Sequence, residues 1–127
     1  MSDTQIVMAQ LFQQGKVARV NGDYDQAVAL FKRMLEEEPN CAEAHMELGL
    51  SYCFSGLFDE SIQELELAAG LKPTDPEIRL HLAKTYTMLG MYPEGAAAFQ
   101  AVIALSTAGD RFHEEACKQL SYFQGML

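Results

Sequence analysis

Tryptophan is absent from this 127-residue chain, and proline occurs only four times. With 49% of the residues hydrophobic, that balance excludes a disordered or proline-rich chain and leaves a globular one, long enough for a single domain. Basic residues are scarce as well: nine Lys and Arg stand against eighteen Asp and Glu, for a net charge of -9 and a pI near 4.6. Nucleic acids and anionic membrane surfaces require a positive field, so neither is an expected partner. The cysteines are few and odd in number. Cys41, Cys53 and Cys117 form no Cys-x-x-Cys pair and read as reduced thiols of a cytoplasmic protein rather than a disulfide framework. Met1-Ser2-Asp3-Thr4-Gln5 has no basic leader character, and no apolar run is long enough for a membrane span, so no membrane insertion is expected.

Chemistry-bearing motifs are missing too. There is no glycine-rich phosphate loop, no nucleophile motif and no pair of carboxylates with an obvious cleft. His45, His81 and His113 lack the i,i+4 partner or cysteine spacing of a zinc site and read as surface or packing histidines. The expectation is a non-enzymatic chain with no catalytic residue, metal or cofactor. No useful stretch alternates with period two, so strands are not expected.

What is present is a repeated corner. Asn21-Gly22-Asp23-Tyr24 returns as Ser55-Gly56-Leu57-Phe58 and again as Leu89-Gly90-Met91-Tyr92, each copy 34 residues after the last. Glycine followed two residues later by an aromatic marks a helix-to-helix turn, and three copies at one period mark a repeat protein. The first helix is expected from Asp3 or Thr4 to Val20, with Ile6, Val7, Leu11, Gln14, Gly15 and Ala18 on one face. The second runs from Tyr24 to about Glu37 and carries Ala27, Val28, Phe31, Met34 and Leu35. Its end, Glu36-Glu37-Glu38, reads as a solvated terminus before Pro39. Asn40, with Glu43 three residues on, reads as a capping box for a third helix bearing Ala44, Leu48, Gly49, Tyr52 and Cys53. The fourth shows Ile62, Leu65, Leu67, Ala68, Ala69 and Leu71, and closes at Pro73. Asp75 caps a fifth helix with Pro76 in its first turn and Ile78, Leu82, Ala83, Tyr86 and Leu89 on its face. The sixth, with Pro93 early, carries Ala96, Phe99, Ala101, Val102, Ile103 and Leu105. A seventh follows Asp110, from Arg111 to about Gln124, with Phe112, Ala116, Cys117, Leu120 and Phe123.

In these positions the chain resembles the tetratricopeptide repeat family. Its pattern appears as Leu48-Gly49-x2-Tyr52, Ser61-x3-Leu65, Ala68 and Pro73, then as Leu82-Ala83-x2-Tyr86, Gly95-x3-Phe99 and Val102, and more weakly as Leu11-x2-Gln14-Gly15-x2-Ala18, Ala27-x3-Phe31, Met34 and Pro39. The resemblance implies an all-α fold: one domain over residues 1–127, built as a right-handed α-solenoid of three antiparallel helix hairpins, about 8–41, 42–75 and 76–109, with a capping helix at about 110–124. Gly15, Gly49 and Ala83 are small where the helices of a hairpin cross, and Tyr52 and Tyr86 are expected to fill space towards the next helix. Gln14 and Ala18 depart from the pattern and leave the first repeat under-packed. Thr107 stands where the third proline would be.

The first helix of each hairpin lines a concave groove in this family. By alignment, the groove-facing residues are Phe12, Lys16 and Arg19, then Glu43, Met46, Leu50 and Phe54, then Glu77, Leu80, Lys84 and Met88, with Lys118 and Arg111 added by the capping helix. Phe12, Met46, Leu50, Phe54, Leu80 and Met88 make an apolar, partly methionine stripe of the kind that accepts varied partners, unless the capping helix or the N-terminal turn covers it. The family's charged clamp for a C-terminal carboxylate is not expected, because its places hold Phe12, Lys16, Glu47, Glu77 and His81, with Lys16 the only basic residue among them. Lys16, Arg19 and Lys84 remain able to meet an acidic group. The resemblance therefore implies an interaction scaffold for a protein or peptide with an apolar segment. A small acidic secretion-type chaperone and a self-assembling homo-oligomeric scaffold are the alternatives.

Overall fold

The structure is a computed structural model and describes residues 2–123. Seven α-helices follow one another: α1 Asp3–Val20, α2 Tyr24–Glu37, α3 Ala42–Phe54, α4 Phe58–Leu71, α5 Pro76–Met88, α6 Tyr92–Leu105 and α7 Arg111–Phe123. No strand occurs among the described residues, and the all-α expectation holds. Gln124, the expected end of α7, lies outside the described residues.

The three corners are one structure repeated. At each, the glycine takes a left-handed conformation, with φ of 82° at Gly22, 84° at Gly56 and 76° at Gly90. The residue after it donates its N–H back five residues, Asp23 to the Ala18 carbonyl, Leu57 to Tyr52 and Met91 to Tyr86, at 2.8–2.9 Å. That bond occupies a carbonyl which the helix terminus would otherwise leave unpaired, and only glycine reaches the conformation without strain.

By contact density the chain divides between Leu71 and Lys72 into two compact units. In the first, α1 pairs with α2, α2 with α3, and α3 with α4. Met8, Leu11, Met34 and Ala44 form one buried cluster; Ala18, Ala27, Phe31 and Leu48 form another. The helices cross where glycine admits them. A Cβ on Gly15 would stand 2.7 Å from the Phe31 ring, and one on Gly49 would stand 2.8 Å from Leu65 Cγ. In the second unit α5 pairs with α6 and α7 lies on α6 and α5, around Leu80, Ala83, Phe99, Val102, Ala116 and Phe123.

Several local expectations are corrected. The α1 cap is Ser2, whose side chain accepts from the Gln5 N–H while Gln5 reaches back to the Ser2 N–H. Ile6 and Val7 are exposed and Met8 takes the core position, one residue round the helix. Asn40 does not cap α3: Cys41 stands at the N-cap, and its side chain makes no capping hydrogen bond. His45 supplies a tether there instead, its Nε2 2.7 Å from the Pro39 carbonyl oxygen and its Nδ1 2.7 Å from Glu64 Oε2 on α4. Leu67 and Leu71 face outwards on α4, Leu89 is exposed at its corner and Cys117 is exposed on α7. Tyr52 packs on the cluster around Phe31, with Lys32 Nζ 5.9 Å from its ring centre.

Candidate functional site

On α1, Phe12, Lys16 and Arg19 follow at i, i+4 and i+7. On α3, Glu43, Met46, Leu50 and Phe54 follow at i, i+3, i+7 and i+11, and Glu77, Leu80, Lys84 and Met88 repeat that spacing on α5. Helical geometry therefore places each set along one face of its own helix.

In the first unit these helices carry one ion pair and two aromatic contacts. Phe12 is half-buried and meets Phe31 edge-on, with ring centres 6.0 Å apart, and Lys16 Nζ lies 5.4 Å from the Phe12 ring centre. Arg19 Nε donates to Glu47 Oε2 at 2.6 Å, joining α1 to α3, and Glu47 is only 5% exposed. A carboxylate buried to that extent needs its partner, and the pair in turn sets the direction of the guanidinium. Phe54 is 54% exposed and stacks on Tyr24, with ring centres 6.0 Å apart. Glu43 accepts from Cys41 Sγ at 3.8 Å, and burial, with the carboxylates of Glu43 and Glu38 nearby, pushes the Cys41 thiol above the usual range. Met46 and Leu50, expected in the apolar stripe, are buried.

In the second unit, Glu77, Leu80, His81 and Lys84 of α5 line a cleft of about 390 Å³ with Arg111, Phe112 and Glu115 of α7. Leu80 lies in the core beneath it beside Ala116, covered by the capping helix. Lys84 Nζ pairs with Glu115 Oε1 at 3.2 Å, and that hydrogen bond, assisted by Gln119, holds the Glu115 carboxyl below the usual carboxylate range. The Arg111 guanidinium lies over the Phe112 ring at 4.7 Å. Met88 is 57% exposed and Lys118 is exposed.

The exposed part of the predicted stripe is therefore confined to Phe54 and Met88, with Phe12 half-buried and Met46, Leu50 and Leu80 inside. Sequence reasoning did not place Tyr24, Phe112 or Glu115 at the site, and it named Glu47 only as a departure from the carboxylate clamp. Glu47 carried a signal: it is an acidic residue among the small and apolar side chains of α3, which a buried helix tolerates only beside a cation. In the first unit the Tyr24–Phe54 stack offers aromatic surface and the Arg19–Glu47 pair holds a cation. No group of three or more potential metal ligands occurs among the described residues. None of the described helices is long and apolar enough to cross a membrane.

A family model described as Tetratricopeptide repeat matches residues 12–76, just over half of the chain. The mouse "Superkiller complex protein 3" is 29% identical over 109 residues, which is 86% of this chain but 6% of that protein's length. Among solved structures, PcrH in complex with the chaperone binding region of PopD superposes with a TM-score of 0.89 at 20% identity, over 99% of this chain and 96% of that one. The Yersinia enterocolitica type III secretion translocator chaperone SycD gives 0.88 at 16% identity, over 94% and 84%. At these identities the two structures establish the fold alone.

Proposed function

Because the chain belongs to the tetratricopeptide repeat family, we propose that it is a non-enzymatic interaction module whose first helices hold a peptide or short helix of a partner protein. The observation that carries this reading is the Arg19–Glu47 pair. A guanidinium held through Nε keeps its terminal nitrogens for a second acceptor, and the stacked pair Tyr24–Phe54 adds exposed aromatic surface to the same unit. Lys16 on α1 adds a second cation in the first unit, so the partner segment combines apolar residues with an acidic one.

The chaperone reading is supported by the likeness to SycD and PcrH over nearly the whole chain, the latter solved with a binding region of PopD. In that reading the segment held belongs to an exported client. Self-association is a further reading, and light scattering across a concentration range tests it: a constant monomer mass removes it.

The test of the groove reading is site-specific photo-cross-linking in cells. A benzoylphenylalanine at position 54 or 88 is expected to capture a small set of proteins through an apolar segment, with the yield at position 54 falling in Lys16→Glu. The same probe at exposed position 100 on α6 is the control, and identical captures from positions 54, 88 and 100 overturn the reading. Glutamate at Met46 or Leu50 does not serve, because both are buried and the change tests folding instead.

A further inference from the structure

Neither backbone conformation nor packing requires glycine at position 70. Of the glycines among the described residues, Gly22, Gly56, Gly90 and Gly109 have positive φ, and Gly15, Gly49 and Gly95 stand where a Cβ would meet a neighbour within 2.8 Å. Gly70 has neither property: it sits in the last turn of α4 in right-handed conformation, and a Cβ there would meet nothing within 4 Å. Glycine weakens a helix relative to alanine, so its use here calls for a reason outside the chain. The surroundings supply one. Leu67, 53% exposed, and Leu71, 39% exposed, lie one turn apart on the same helix face with Gly70 between them. Together with Gln63 and Glu66 they line a shallow cleft of about 650 Å³. α4 carries four carboxylates and no basic residue: Glu66 lines the cleft, Asp59 and Glu60 stand in the first turn, and Glu64 is tied to His45 on α3.

We propose that this outer face of α4 is a second docking surface, distinct from the face of the first helices, and that its occupant is an amphipathic helix of a partner protein with an apolar stripe and lysine or arginine flanks. The missing side chain at Gly70 lets a partner backbone approach α4 closely, with Leu67 and Leu71 gripping either side of the crossing, as ridges enter grooves between packed helices. The carboxylates of Asp59, Glu60 and Glu66, with no basic residue on α4, select basic flanks and repel acidic ones.

The test uses the full chain and a fluorescein-labelled helical peptide of leucine, alanine and lysine, with a counterpart carrying glutamate in place of lysine, read by fluorescence anisotropy. The lysine peptide is expected to bind and the glutamate peptide not to. Gly70→Leu, which fills the notch, and Leu67→Asp should each weaken the lysine peptide about tenfold, the effect of losing one well-packed apolar contact. Leu67→Asp adds negative charge, so a loss of binding there separates the apolar notch from general attraction to an acidic protein. Both positions are solvent-exposed, and circular dichroism is expected to show wild-type helix content in both variants. Wild-type binding by Gly70→Leu or Leu67→Asp, or equal binding of the two peptides, overturns the proposal. So does a concentration-dependent increase in mass that Gly70→Leu abolishes, since the occupant is then a second copy of this chain. Lys16→Glu and Phe54→Ala should leave the probe bound. Loss in those variants places it on the first-helix face and refutes the α4 surface while leaving the groove reading standing.

Discussion

Alanine at position 49 adds one methyl group where α3 crosses α4. Its Cβ would stand 2.8 Å from Leu65 Cγ, 3.2 Å from Leu65 Cδ2 and 3.2 Å from the Ser61 carbonyl oxygen. The Leu65 side chain is fully buried and the carbonyl belongs to the helix backbone, so relief has to come from separating the two helices. Overpacking of this kind costs about 1–3 kcal/mol. Against it, alanine in a helix interior gains about 1 kcal/mol over glycine, leaving a net loss of about 0–2 kcal/mol. Gly70→Ala makes the same chemical change in a helix with open space around the new methyl, and shows the propensity gain by itself. The difference between the two variants then cancels propensity and measures the crossing alone, about 1–3 kcal/mol in favour of Gly70→Ala. Urea unfolding followed by circular dichroism reads it as a separation of midpoints at unchanged slope. Gly49→Ala as stable as Gly70→Ala would show that the α3–α4 crossing does not depend on a bare backbone and would refute the packing argument.

Arg19→Ala leaves the Glu47 carboxylate buried without its cation and should destabilise the chain by about 3 kcal/mol, whereas Arg19→Met with Glu47→Leu together should recover most of that loss in urea unfolding. Glu115 has its carboxyl depressed in the folded state, first by the hydrogen bond from Lys84, so its contribution is present above the ordinary carboxylate range and is lost as pH falls through the lower folded value. An NMR pH titration should place the Glu115 midpoint below that of an exposed glutamate, and Lys84→Met should move it up; an unmoved midpoint would refute the assignment. Under native conditions a thiol reagent should label Cys117 first. Cys53 is buried and the Cys41 thiol is pushed up by burial, so both should react only slowly until denaturant is added.

How much of this was legible in advance depends on the physics of each feature. The corners were readable because a left-handed residue ending a helix demands glycine, and the demand recurs at Gly22, Gly56 and Gly90 whatever surrounds them. Proline at position 76 and aspartate at 75 marked the start of α5 for the same local reason, Asp75 Oδ1 accepting from the Glu77 and Ile78 N–H groups. Asn40 failed as a cap because capping by a side chain is one of several ways to hold a helix start, and here the His45 ring bridges Pro39 and Glu64 instead. Ile6 and Val7 were placed inside because neighbouring apolar residues at the end of a helix fit the helical period almost equally well, and only packing selected Met8.

The 34-residue period, the seven helices and their corners follow from local rules: backbone conformations available to glycine and proline, and side chains repeating with the turn of the helix. The face on which each residue stands follows from the same rules. Its exposure does not, because burial depends on every neighbour at once. Tertiary packing decided that Leu80 lies under α7 while Phe54 and Met88 stay open, that Met46 and Leu50 are buried, and that Leu67 faces outwards. Packing also brought Arg19 to Glu47 across 28 residues of chain, a pairing for which the sequence offers no local rule.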